Sequence, residues 1–71
     1  MKTLFSTDLS REGNDVYIYE TIFVVEHNGI YAVLRSYKVV GWSKRAEIYL
    51  HTSTTDYDTA IVKYKELGGM L

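Results

Sequence analysis

The clearest pattern in the chain is a pair of runs rich in Val, Ile, Tyr and Phe, residues 16–27 and 30–40, joined by Asn28-Gly29. Asn-Gly readily adopts the two positive φ values of a type I′ turn, so the pattern predicts a long β-hairpin. A two-residue loop then pairs residues whose numbers sum to 57, such as Val24 with Val33. A slip of one residue would exchange the two faces of the hairpin, because strand side chains alternate.

Both faces of this predicted hairpin carry large apolar side chains. One face holds Tyr17, Tyr19, Thr21, Phe23 and Val25 with Ile30, Ala32, Leu34, Lys38 and Val40. The other face holds Val16, Ile18, Glu20, Ile22, Val24 and Glu26 with Tyr31, Val33, Arg35, Tyr37 and Val39. Neither face is simply polar, which is unusual for a sheet that has one face in water.

Three further elements complete the predicted fold. Residues 2–9 form a weaker strand, followed by turn formers at 10–15, and residues 45–52 form a clear strand in which Ala46, Ile48 and Leu50 alternate with polar positions. Thr55 is the predicted N-cap of a helix that stops at Gly68-Gly69. The apolar positions at helical spacing are Tyr57, Ala60, Ile61, Tyr64 and Leu67.

These elements predict the α+β class, as an antiparallel β-meander of three to four strands with one C-terminal helix packed on one face. The order is β-β-β-β-α, in a single domain over residues 1–71. With 71 residues, 8.2 kDa and no linker or repeat, the chain has material for one core.

Composition narrows the classes of function. The net charge of -1 gives no overall field that attracts nucleic acid or an anionic membrane. The chain has no cysteine, so it offers no disulfide and no thiolate metal site, and we expect neither a metal nor a cofactor. No segment has the apolar run of a signal peptide or a membrane span, so we expect no membrane association and a cytoplasmic location.

The apolar excess of the hairpin points to protein binding. One short helix covers one face of a sheet, so a second face with aromatic and aliphatic side chains marks a partner surface, and the simplest partner is a second copy in a homodimer. The candidate protein-binding residues are Ile22, Tyr31, Tyr37, Trp42 and Tyr49. The alternative is that strand twist and the amino-terminal segment hide enough of this surface.

A second candidate site is basic and aromatic. Residues 35–45 hold four cations, no acid, one Trp and one Tyr, a combination suited to phosphates and bases of single-stranded nucleic acid. The candidate nucleic-acid-binding residues are Arg35, Lys38, Trp42, Lys44 and Arg45. Glutamates on neighbouring strands dilute this charge, and a solvated loop with Trp42 folded onto the core edge is the simpler interpretation.

Catalysis has weak support. The acid–base groups within the predicted sheet are Glu20, Glu26, His27, Glu47 and His51. Glu20 falls diagonal to Arg35 in the predicted register, which indicates a cross-strand ion pair. No phosphate-binding loop, metal-spaced histidine pair or nucleophile elbow occurs, so we expect no catalytic residue and no enzyme activity.

The strand order, the Val40-Gly41 turn and the closing helix with Ala60 and Tyr64 resemble the WGR module, a small nucleic-acid-associated domain. The resemblance covers about 45 residues of the chain. Tyr37-Lys38-Val39 stands where that family has its Trp-Gly-Arg signature, so the resemblance supports the order of elements and transfers no function.

The sequence therefore favours a small non-enzymatic interaction module that docks through an aromatic sheet face or edge and self-associates. Its size is typical of proteins encoded by phages and mobile elements. Single-stranded nucleic-acid binding through segment 35–45 is the alternative.

Overall fold

The computed structural model describes residues 1–41 and 46–71 and confirms the predicted β-meander with a C-terminal helix. The strands are β1 (Lys2–Asp8), β2 (Arg11–Glu12), β3 (Tyr17–His27), β4 (Ile30–Val40) and β5 (Glu47–Thr54), and the helix is α1 (Tyr57–Glu66). All described strands belong to one antiparallel sheet in the order β1-β3-β4-β5, and the two-residue β2 also pairs with β3.

The central hairpin has the predicted turn and register. Asn28 and Gly29 have φ values of 52° and 77°, as a type I′ turn requires. Partners run without interruption from His27 opposite Ile30 to Tyr17 opposite Val40, so every pair sums to 57. The assignment of side chains to the two faces is therefore confirmed.

Two irregularities shape the outer strands. The pairing of β1 with β3 shifts between Thr3 and Phe5, and the pairing of β4 with β5 shifts between Val33 and Leu34. Each shift inserts one residue that has no direct partner, as in a β-bulge. Strand β5 also begins and ends two residues later than the predicted 45–52.

The N-cap of α1 is Asp56, and the prediction of Thr55 is wrong. The Asp56 carboxylate accepts the Asp58 N–H at 3.1 Å and the Thr59 hydroxyl at 2.7 Å. The Thr54 hydroxyl in turn accepts the Asp56 N–H at 3.0 Å, which turns the chain one residue later than expected. The helix stops at the predicted glycines, where Gly68 has a φ of 100°.

The core lies between α1 and one face of the sheet, called the helix side below. Its fully buried members are Ile22, Val24, Val33, Ala60 and Tyr64. The Tyr64 hydroxyl bonds the Thr7 hydroxyl in β1, which also accepts the Met70 N–H at 2.9 Å. These bonds fix the end of the helix over β1, while its beginning follows β5 directly.

Tyr57 does not belong to this core. Its side chain is exposed, and its ring packs edge-on against Tyr31 with 5.5 Å between the centroids. The first turn of α1 lies at the margin of the sheet beside β5, so a residue there rests on the rim. The prediction that Tyr64 fills the helix–sheet core is confirmed.

The direction of α1 limits what it can cover. A ten-residue helix is about 15 Å long, which matches the width of four strands rather than the roughly 37 Å length of an eleven-residue strand. The contacts of α1 run from Tyr31 of β4, which meets Tyr57, to Thr7 of β1, which bonds Tyr64, so the helix lies diagonally and leaves the end of the hairpin away from the turn uncovered. The rest of the helix side and the entire opposite face must be stabilised in other ways.

We predict that Tyr64→Phe lowers the free energy of unfolding by about 1–2 kcal/mol, because it removes a buried hydroxyl that bonds Thr7 and the Met70 carbonyl. Tyr57→Phe is the matched control, since that hydroxyl is on an exposed ring, and it should change stability by less than about 0.5 kcal/mol. Urea unfolding followed by circular dichroism measures both. Equal effects of the two substitutions would contradict this account of the core.

Candidate interaction surface

The face of the sheet opposite α1 is called the open face. Its apolar members come from three adjacent strands, since the register aligns Phe23 with Leu34 and Leu34 with Leu50. They are Tyr17, Tyr19, Phe23, Val25, Ile30, Leu34, Val40, Ile48 and Leu50. None of the residues at 1–41 and 46–71 forms a second layer over this face.

Several of these side chains are strongly exposed. Ile48 is 68% exposed, Leu50 is 62% and Tyr19 is 52%. Several large apolar side chains exposed on one surface are typical of an interaction site. Phe23 and Leu34 are half-buried, and Val25 of the same face is 5% exposed. Phe23, Leu34 and Leu50 form one apolar row across β3, β4 and β5, with Ile48 beside it, and the polar pair Thr21–Ser36 separates this row from Tyr19.

The margin of the open face is polar. Strand β1 presents Thr3, Ser6 and Asp8, which the register aligns with Val25, Phe23 and Thr21 of the open face. The Asp8 carboxylate accepts hydrogen bonds from the Ser10 side chain and from the Ser10 N–H, the latter at 2.9 Å. These bonds hold the pKa of Asp8 below its usual value. Lys38 supplies a cation on the same face, beside Tyr19.

The sequence-predicted protein-binding residues lie instead on the helix side. Ile22 is 1% exposed beneath α1, so it belongs to the core and the expectation that it lies on a docking surface needs correction. Tyr31 is half-buried against Tyr57. Tyr37 and Tyr49 lie beyond the helix on the same side, and Trp42 lies outside the described residues.

A buried carboxylate organises the part of the helix side that α1 does not reach. Glu20 lies 2.5 Å from Arg11 Nη1 and 2.5 Å from Arg35 Nε, which confirms the predicted cross-strand pair with Arg35. The Arg35 N–H is not aligned for a hydrogen bond, so that contact is an ion pair. The Arg35 guanidinium also lies over the Tyr37 ring, 4.9 Å from the ring centroid. This cation–π contact helps to hold Arg35 beside Glu20.

Tyr49 belongs to the outer margin of this cluster. Its hydroxyl donates a hydrogen bond to the Glu47 carboxylate, which raises the pKa of Tyr49 above its usual value of 10.0. Both side chains are exposed, so the bond orients Tyr49 along the strand and adds little to stability.

The nucleic-acid hypothesis required its cations to share one surface. Arg35 and Lys38 lie on opposite faces of β4, because they are three positions apart along an extended strand. Arg35 is also paired with Glu20. Trp42, Lys44 and Arg45 lie outside the described residues, so the described part of the chain does not assemble this site.

The candidate acid–base groups are also dispersed. His27 lies at the turn with its Nε2 3.3 Å from the Asn28 amide, and His51 Nε2 has no hydrogen-bond partner among the described residues. A shallow depression of about 490 Å³ at the far end of the hairpin is lined by Glu12, Asp15 and Val16 among others, and neither histidine contributes to it. Within 1–41 and 46–71, no group of three potential metal ligands occurs.

Comparisons with known proteins add no functional information: no protein-family model, curated protein or solved structure matches this chain. Among the helices of the described segments, none has the length and apolar character to cross a membrane.

The sequence pattern gave no means of choosing which face the helix covers. Both faces alternate in the same way, and the choice depends on where the chain turns between Thr54 and Tyr57. One signal was present in the residues themselves: Glu20 and Arg35 form a polar pair on one face, whereas the described interior of the other has the single cation Lys38. That difference favours the more apolar face as the covered one, whereas α1 covers the face that holds the ion pair.

We predict that Glu20→Gln lowers the free energy of unfolding by about 2 kcal/mol, because it leaves Arg11 and Arg35 without their shared carboxylate. The cost is below that of a fully buried pair, since both arginines retain contact with water. Glu47→Gln, at an exposed position, is the control and should be nearly neutral. Equal stability of wild type and Glu20→Gln in urea would show that the cluster contributes nothing.

Proposed function

We propose that this protein is a small non-enzymatic interaction module that self-associates by packing its open face against the open face of a second copy. The observation that carries the proposal is the apolar row of Phe23, Leu34 and Leu50, flanked by the exposed Ile48, on a face that no described element covers. Two such faces can pack at the usual separation of about 10 Å between sheets.

The size of the face supports a second copy as the occupant. Four strands at about 4.8 Å spacing and a mean length of nine residues give a face of about 19 by 31 Å, or about 600 Å². Two copies would bury about 1,200 Å² in total, which reaches the lower end of stable protein interfaces. A smaller partner would leave part of the apolar area in water.

The charge of the face supports the same occupant. Among the described residues it carries one cation, Lys38, and two carboxylates, Asp8 and Glu12. A symmetric dimer places identical surfaces together, so a face with a large excess of one sign would repel its copy. The excess here is a single carboxylate, and both carboxylates lie at the margin of the face, where salt screens them.

We predict that Phe23→Glu abolishes the face-to-face dimer, weakening association by about a hundredfold or more, because a carboxylate beside Leu34 at the middle of the face would be buried in the dimer without a partner. Val62→Glu is the matched control: Val62 is 57% exposed on the outer surface of α1, away from the open face. Sedimentation equilibrium gives the masses, against 8.2 kDa for one chain.

Comparison of the two variants distinguishes association through the open face from nonspecific association. The proposal requires that wild type and Val62→Glu associate, while Phe23→Glu, shown to be folded by circular dichroism, stays monomeric at the same protein concentration. Equal association of all three proteins, or monomeric wild type at about 100 µM, would overturn it.

Single-stranded nucleic-acid binding stays a separate prediction, since three of its five residues lie outside the described part of the chain. It predicts that oligonucleotides quench the fluorescence of Trp42 at about 50 mM salt and that the effect declines with salt. Unchanged fluorescence would reject this function. The assay leaves the dimer proposal unaffected, because it reads a different segment.

A further inference from the structure

Strand β5 forms an edge of the sheet that has only part of the usual protection against strand pairing, namely a bulge at His51 and one charge, Glu47. Edge strands commonly carry lysine or proline, which discourage the approach of another strand. Residues Glu47–Thr54 contain neither, and the four positions from Glu47 to Leu50 are all exposed. The other edge, β1, begins with Lys2 and ends with Asp8.

The register shows which backbone groups of β5 face outward. A two-residue turn makes His27 and Ile30 a hydrogen-bonded pair, so alternate residues of β4 from Ile30 onward bond to β3. The remaining residues, such as Arg35 and Tyr37, bond to β5. The same alternation on β3 directs the Glu20 carbonyl away from β4, and this carbonyl accepts the Leu9 N–H at 2.8 Å.

Glu47 and Tyr49 are the direct partners of Tyr37 and Arg35, so their amide and carbonyl groups point inward. Ile48 and Leu50 therefore direct both backbone groups to the free edge. The open edge thus consists of two residues whose side chains are also the most exposed of the open face.

We propose that β5 pairs with β5 of a second copy in antiparallel orientation, with Ile48 opposite Leu50 of the other copy and Tyr49 opposite Tyr49. In this register each Ile48 exchanges both backbone hydrogen bonds with a Leu50, twice over by symmetry. The four aliphatic side chains meet on the open face, and the two tyrosines meet on the helix side.

This edge contact is distinct from the face-to-face contact proposed above. It extends the sheet within its plane, whereas the face contact stacks two sheets. If both occur, two perpendicular two-fold axes generate a closed tetramer with the helices outside. Each contact can also form alone.

The test uses Phe23→Glu as background, so that the face contact is removed. Adding Ile48→Pro deletes an outward N–H and leaves the β4–β5 bonds intact, while adding Ile48→Ala keeps that N–H and trims the side chain. We expect Ile48→Pro to weaken edge association at least about tenfold more than Ile48→Ala does, by sedimentation. Circular dichroism verifies that each variant folds.

Amide hydrogen exchange in the Phe23→Glu background supplies a second readout that needs no substitution in β5. The amides of Ile48 and Leu50 should exchange more slowly as protein concentration rises, while the Tyr49 amide, bonded to β4, is protected throughout. Concentration-independent exchange at Ile48 and Leu50, or equal association of the proline and alanine variants, would overturn the edge pairing. Loss of edge pairing with face association intact would leave the proposed function standing.

Discussion

A ten-residue helix that crosses four strands shields a band of the sheet only about as wide as the helix itself. In this protein that band contains Ile22, Val24 and Val33, which are almost completely buried. The strands continue well beyond the band at the end away from the turn, and the opposite face receives no layer from the described residues. The position of α1 therefore decides which apolar side chains form the core and which remain for a partner.

The two regions that α1 leaves uncovered differ in the side chains they carry. On the helix side, Glu20 holds Arg11 and Arg35, and the arginine covers Tyr37, so charged groups occupy the space that the helix leaves. On the open face Phe23, Leu34 and Leu50 have no charged neighbour of this kind, and their apolar surfaces gain free energy only by contact with another apolar surface. This asymmetry is the physical basis of the proposed self-association.

Much of the fold could be predicted because its strongest determinants are local. Asn28-Gly29 determines the turn, the turn determines the register, and the register places Glu20 near Arg35. The covered face could not be predicted, since alternation is the same on both sides and the result depends on the path from β5 into α1. The N-cap was wrong by one residue for the same reason: the Thr54 hydroxyl forms its own turn before Asp56 begins the helix.

Methyl relaxation by a soluble paramagnetic agent tests most directly whether the open face is covered in solution. The account predicts that methyl groups of Leu34, Ile48 and Leu50 in the wild-type protein relax less than those of Val62, although Ile48 and Leu50 are the more exposed residues in one isolated subunit. Relaxation of Ile48 and Leu50 as strong as that of Val62 at about 100 µM protein would show a bare face and contradict the account.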